Sequence, residues 1–394
     1  MISIVSQNFS LNRIVLLLVG LWPYQNSKLV QLQIILCLGT LISSVVYQFA
    51  VFISADCTIN LIFKVFSIAL FFSMYVIEYN SFRINRQAMK WSLEQLQCIC
   101  NELRDEIEIN IMRKCGDHAK RYAILFISFQ IFNLLSIVLY PLALYILDIV
   151  LCINEYHLNH VIQMFIPKHF VGRKNYFYLI FLHSGATICI GGTVIIATLM
   201  MCITYSKHAC GMFKIASYRI EKAVNTPKID HLKNEITMYR EIIEAVDIHR
   251  KAIKSTAIFF SSFLQSRFVL IIFAVITLSL NLYGISETIT IGHDFQDVMF
   301  HVLIVADIFL YMFILNYAGQ EFTDCNDHIF LTSYNVRWYV APLHVQKLIL
   351  FLLQRGNKTV SLHFGMMFVL SLELFATLTK ASISYFTLMC SIQQ

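Results

Sequence analysis

Five polar side chains near the C-terminus share one helix face. Thr377, Lys380, Ser384, Thr387 and Ser391 recur at alternating spacings of three and four, a helical period near 3.5. They are embedded in an otherwise apolar run, NKTVSLHFGMMFVLSLELFATLTKASISYFTLMCSIQQ, from Asn357 to Gln394. In lipid a hydroxyl stripe has no partner, so it must face another helix or water. Two uses of such a stripe are open. Small hydroxyl residues let membrane helices pack closely, or the stripe lines a water-filled path for ions. The second use requires several copies of the helix, since one helix encloses nothing. Catalytic chemistry is poorly supported elsewhere. There is no nucleophile triad and no nucleotide-binding glycine loop, and Asp324 and Asp327 near His328 read as a solvated or packing loop. Cys98 and Cys100 lack a second pair for zinc, and Glu155, His157, His160 and His169 read as a solvated lid. No metal or cofactor is expected.

The elements that must hold the seam are membrane helices. The chain is 58% hydrophobic and only 14% charged, against roughly 25% charged in soluble domains. Seven apolar segments stand out: about 29–53, 60–82, 122–150, 176–205, 256–285, 297–318 and 359–390. The fold class is an all-α polytopic membrane protein of one domain, with seven transmembrane helices and no internal repeat. The run from Asn357 is expected to be one helix of more than thirty residues, part of it projecting from the bilayer. The N-terminal stretch reads as an amphipathic helix at the interface, anchored by Trp22 and Tyr24.

Of the 30 basic residues, 24 fall before the first span or in the alternate loops after the second, fourth and sixth; three fall opposite and three inside spans. The positive-inside rule therefore puts the N-terminus in the cytoplasm and the C-terminus outside. A G-protein-coupled receptor has the reverse orientation and is disfavoured, so no G protein is expected. The net charge of +6 reports topology, not nucleic-acid binding. Both glycosylation sequons, at Asn8 and Asn357, fall on the cytoplasmic side and are expected to stay unused. The long inner loops carry helical patterning (Leu93, Leu96, Ile99, Leu103, Ile107, Ile111), which predicts helices extended into a cytoplasmic anchor bundle.

The last fifth of the chain resembles the insect odorant receptor family. The pieces are NYAGQ (Asn316 to Gln320), Tyr334, RWY (Arg337 to Tyr339), QKLILFLLQR (Gln346 to Arg355), Gly365, SLELF (Ser371 to Phe375) and SYFTLM (Ser384 to Met389). Arg13 to Pro23 and CGMF (Cys210 to Phe213) look like the versions in bees, ants and wasps. The resemblance implies a ligand-gated, non-selective cation channel in the plasma membrane of olfactory neurons. Its members form tetramers, usually of a variable subunit with a shared olfactory co-receptor. This chain lacks the co-receptor's extended loop between spans four and five, so it resembles the variable, odorant-tuning subunit.

On that resemblance, Ser384, Thr387, Leu388 and Ser391 line the pore, with Leu388 as a hydrophobic constriction that blocks ions by dewetting. The family often has valine at the constriction and a longer polar side chain beyond it. Tyr334, Trp338, Tyr339 and Gln346 belong to the cytoplasmic subunit anchor. The ligand, a small volatile or apolar odorant, is expected among the outer halves of the spans. Candidates are Phe66 and Leu70, Ser136 and Tyr140, Ser184 and Ile188, and Leu280 and Tyr283. A gustatory-type ligand-gated channel is the alternative within the same class. A transporter is a more distant one, since no inverted repeat is visible.

Overall fold

A computed structural model describes residues 7–54, 58–151, 174–225, 231–291, 295–356, 360–364 and 368–393. The described chain is almost entirely helical. A short helix α1 (Ser10–Leu18) leads into α2 (Lys28–Ser54), α3 (Ile59–Ile84) and α4 (Arg86–Glu102). Then come three of the longest, α5 (Glu106–Leu151), α6 (Lys174–Asn225) and α7 (His231–Ser261), followed by α8 (Leu264–Ile291) and α9 (Phe295–Asn335). A 3-10 turn (Trp338–Val340), α10 (Leu343–Gly356), strands β1 (His363–Phe364) and β2 (Phe368–Val369) and α11 (Leu372–Gln393) complete it.

Length separates what lies in the membrane from what does not. At about 1.5 Å per residue, the 52 residues of α6 reach about 78 Å and the 41 of α9 about 62 Å, twice or more the bilayer core of about 30 Å. Each must leave the membrane by several turns. Five described helices (α2, α3, α6, α8 and α9) contain stretches long and apolar enough to cross. On α2, Leu29, Leu32, Ile35 and Leu36 form an apolar face that is exposed among the described residues.

Two helices organise the packing. α6 lies against α5, α7 and α9, and α8 lies against α3, α9 and α11. The extensions below the membrane form a bundle joined by ion pairs. The Arg219 guanidinium of α6 grips both carboxylate oxygens of Glu108 on α5, at 2.6 and 2.8 Å, and Lys251 of α7 reaches Glu102 of α4 at 3.0 Å. Asp105 caps α5, its carboxylate accepting the Ile107 N–H at 2.9 Å. The inner-loop leucines and isoleucines of α4, including Leu93, Leu96 and Ile99, are buried in this bundle.

Two expectations change. The run from 357 is not one long helix. Two short strands pair antiparallel there, His363 opposite Val369 and Phe364 opposite Phe368, and α11 starts only at Leu372. The Ser371 hydroxyl accepts the Leu374 N–H at 3.1 Å and caps it there. Its 22 residues span about 33 Å, one bilayer crossing with little projection. A short apolar run cannot be told as strand or helix by hydrophobicity alone. The fifth span is likewise interrupted: α7 ends at Ser261 and α8 begins at Leu264, so Thr256 belongs to α7. The N-terminal amphipathic helix forms, and it is docked on the bundle. The Asn12 amide donates to the Thr204 hydroxyl at 3.0 Å, and Phe9 stacks on His208 at 5.2 Å.

Candidate functional site

The polar seam survives the shortening of its helix. Thr377, Lys380, Ser384, Thr387 and Ser391 are all exposed on the single chain, and Leu388 beside them is 54% exposed. The other face is docked. Leu378 and Ser382 are buried, and the Ser279 hydroxyl of α8 donates to the Ser382 carbonyl at 3.0 Å. The hydroxyls at 377, 387 and 391 donate to carbonyls of their own helix, so they satisfy themselves in lipid yet keep lone pairs for water or a passing ion.

The NYAGQ segment fixes where this helix begins. Asn316 is 2% exposed, and its side-chain oxygen accepts the Ser371 N–H at 3.3 Å. One turn on, Gly319 lies against Leu370. A Cβ there would sit 2.2 Å from the Leu370 Cβ and 2.6 Å from its carbonyl oxygen, so only glycine lets α9 approach the start of α11 this closely.

The subunit-anchor candidates lie at the end of α9, in the 3-10 turn and on α10. Tyr334, Tyr339 and Trp338 are exposed, the two neighbouring rings edge to face at 6.0 Å. With Leu331, Val340, Leu343 and Phe351 they leave an apolar patch open on the single chain. Gln346 is half-buried and is a brace for the turn, donating to the carbonyls of Ala341 at 2.8 Å and Tyr339 at 3.2 Å.

The ligand candidates do not converge. Phe66 packs edge-on against Phe49 at 5.8 Å with its outer side exposed, and Leu70 is half-buried. Ser136 donates to its own helix at Phe132, and the side chain of Tyr140 lies outside the described residues. Ser184 and Ile188 are buried on α6, and Leu280 and Tyr283 are buried on α8, Tyr283 edge to face with Phe63 at 5.2 Å. The loop with Glu155, His157, His160 and His169 lies outside the described residues, as does Asn357. Asp324 and Asp327 accept side-chain amide hydrogens from Gln320 and Asn326, and His328 lies beside Ser217 and Thr332.

A cavity does occur between α3, α5, α6 and α9, and among the described residues none of those candidates lines it. Phe71, Met74 and Tyr75 of α3, Phe126 and Gln130 of α5, Ile195 and Leu199 of α6, and Asp307 and Tyr311 of α9 form its walls. Its volume is about 50 Å³, room for roughly four waters, so an organic ligand must displace side chains to enter. Two adjacent glycines carve it. A Cβ at Gly191 would lie 2.0 Å from the Tyr75 ring, and one at Gly192 would lie 2.0 Å from the Gln130 amide nitrogen. The pair was a sequence signal: two glycines in the middle of an apolar span imply a close approach to the backbone.

Tyr311 links the cavity to a buried charge cluster. Arg267, in the first turn of α8, donates to the Tyr311 hydroxyl at 2.6 Å and lies 2.7 Å from the Glu78 carboxylate. Both charged side chains are at most 1% exposed. Arg267 thus ties α3 and α9, two walls of the cavity, to the base of the helix that carries α11.

A sequence model described as "7tm Odorant receptor" matches residues 54–383. Two solved structures share the fold over nearly the whole length. The insect olfactory receptor OR5 from Machilis hrabei in complex with eugenol aligns with TM-score 0.78 at 17% identity, covering 98% of this chain and 97% of that one. The same receptor in a second structure aligns with TM-score 0.77 at 16% identity, with the same coverage. No curated protein matches the sequence.

Proposed function

The chain belongs to the odorant receptor family of seven-helix membrane proteins, and on that basis we propose that it is the odorant-binding subunit of a ligand-gated, non-selective cation channel. It assembles with the olfactory co-receptor in a heterotetramer, in the plasma membrane of olfactory sensory neurons. Its N-terminus is cytoplasmic and its C-terminus extracellular, as the placement of the basic residues favours.

The observation that carries this reading is the two-faced last helix. One face is held by α8, and the other presents Ser384, Thr387, Leu388 and Ser391, all exposed among the described residues. In an oligomer those faces converge. Leu388 supplies the dewetting constriction, and the hydroxyls at 384, 387 and 391 wet the path around it. The open apolar patch around Trp338 and Tyr339 supports a cytoplasmic contact between subunits.

The cavity between α3, α5, α6 and α9 is the odorant site in this reading. Eugenol in the complex of the similar Machilis receptor supports a small, mainly apolar ligand. Binding opens the pore only as far as it is tighter in the open state. The route runs from Tyr311 to Arg267, through α8, to the α11 backbone at Ser382.

The test is whole-cell current in cells expressing the chain with and without the olfactory co-receptor, under a panel of volatiles. Odorant-evoked cation current that needs both subunits is the expected outcome. Current from this chain alone refutes the heterotetramer, and no current from surface-expressed complexes across the panel counts against the channel.

A further inference from the structure

The cavity has a polar pole that an odorant site for purely apolar molecules does not need. Asp307 lies on α9, inside the stretch apolar enough to cross a membrane, and lines the cavity. A carboxyl in that position is costly unless its oxygens are hydrogen-bonded. The Asn133 amide of α5 donates to Oδ1 at 2.8 Å, and Asn133 is its one hydrogen-bond partner among the described residues. Among the described residues, no basic side chain is in the cavity wall. The buried cation Arg267 is committed to Glu78 and to the Tyr311 hydroxyl. Gln130, held against Gly192, and Tyr75, held against Gly191, line the same space. The remainder of the wall is apolar, with Phe71, Phe126 and Leu199 among it.

We propose that Asp307 selects ligands, so that the odorants of this receptor carry a hydrogen-bond donor, a hydroxyl or an amine, on a small apolar body. The donor is accepted by the free oxygen of Asp307 while Asn133 holds the other, and the aromatic wall takes the hydrocarbon. This rests on the cavity being the odorant site, as argued above. Asp307 is a positioning group in this scheme: it orients the ligand, and the apolar contacts hold it. A hydroxyl and a protonated amine satisfy the same acceptor, and they differ in what the site needs. The amine requires the negative charge; the hydroxyl requires only an acceptor oxygen.

The test compares hexanol, hexylamine, methyl pentyl ether and heptane, which match in chain length and differ in the donor. Binding is read as ligand-dependent thermal stabilisation of the full chain in detergent, a readout independent of gating. The expected result is that a donor-bearing member binds roughly tenfold to a hundredfold more tightly than the ether, the loss that goes with one hydrogen bond to a charged group. Asp307→Leu should erase that preference while leaving weak binding of heptane. Asp307→Asn keeps an acceptor oxygen at the same place and guards against a misfolded Leu variant. It should lose hexylamine and retain hexanol if hydroxyls are the natural head group, and lose the response outright if amines are. A flat series in the unsubstituted chain, or a preference that survives both substitutions, overturns the inference. Current that follows hydrocarbon size and ignores the head group would keep the channel and sink this selectivity. Donor-dependent binding without current would do the reverse.

Discussion

The ion pair between Glu78 and Arg267 is the buried interaction whose loss the fold should feel most. Its side chains are 0% and 1% exposed, and the groups stand 2.7 Å apart. Arg267→Met removes the cation and the donor to Tyr311, leaving a carboxylate inside the bundle with no counter-charge. Removing one partner of a buried pair costs about 3–5 kcal/mol. At about 1.4 kcal/mol per factor of ten, that lowers the folded-to-unfolded ratio roughly a hundredfold to a few thousandfold. Glu78→Gln strands the guanidinium instead, with the Tyr311 hydroxyl and the Cys202 sulfur, at 3.6 Å, still beside it. Its cost should therefore be the smaller of the two. The double substitution removes both charges and should recover at least about 2 kcal/mol of the summed loss, since groups in direct contact are not additive. Surface biotinylation and the thermal midpoint of the solubilised protein read all four chains. Single variants that reach the surface at the unsubstituted level would refute the reasoning. So would a double variant that loses as much as the two singles summed.

Gly192→Leu forces a branched side chain onto the Gln130 amide, where even a Cβ lies at 2.0 Å; it should abolish odorant response with surface expression at least partly kept, measured by current per surface receptor. Leu388→Ala should raise the current in the absence of odorant, since a shorter side chain widens and wets the constriction; unchanged leak would move the gate elsewhere. Trp338→Ala with Tyr339→Ala should lower the fraction of the chain that co-purifies with the co-receptor without lowering total expression, because both rings are exposed on the single chain. Asn316→Ala removes the acceptor for the Ser371 N–H and should cost about 1–2 kcal/mol, read as a lowered thermal midpoint.

How much of this could be read beforehand depends on how local each signal is. The spans and their cytoplasmic extensions follow from the length of apolar runs and from helical patterning such as Leu93, Leu96 and Ile99, now buried in the bundle. The seam was legible because a period near 3.5 survives any error in where the helix starts. The pairing of β1 with β2 was not legible, because a short apolar run fits either strand or helix. The cavity was not legible either. It draws on positions of four helices scattered from Phe71 to Ile314, and each Phe or Leu there looks like ordinary core. Signals did exist: Gly191 and Gly192 side by side, and Glu78 and Asp307 as acids inside apolar spans. An acid at that depth is expensive, which marks it as a site before its partners are known.

The central claim, that the exposed seam of the last helix lines an ion path, can be tested by giving that face a thiol. Cys390, half-buried one turn away, is first replaced in Cys390→Ser, and Thr387→Cys or Ser391→Cys is added. Receptor complexes with the co-receptor are exposed to a membrane-impermeant, positively charged thiol reagent while odorant-evoked current is recorded. If the seam lines the path, the reagent reduces the current irreversibly at both positions, and faster with odorant present than without. Current that persists unchanged at both positions, with the introduced thiols present and the receptor at the surface, would contradict the account.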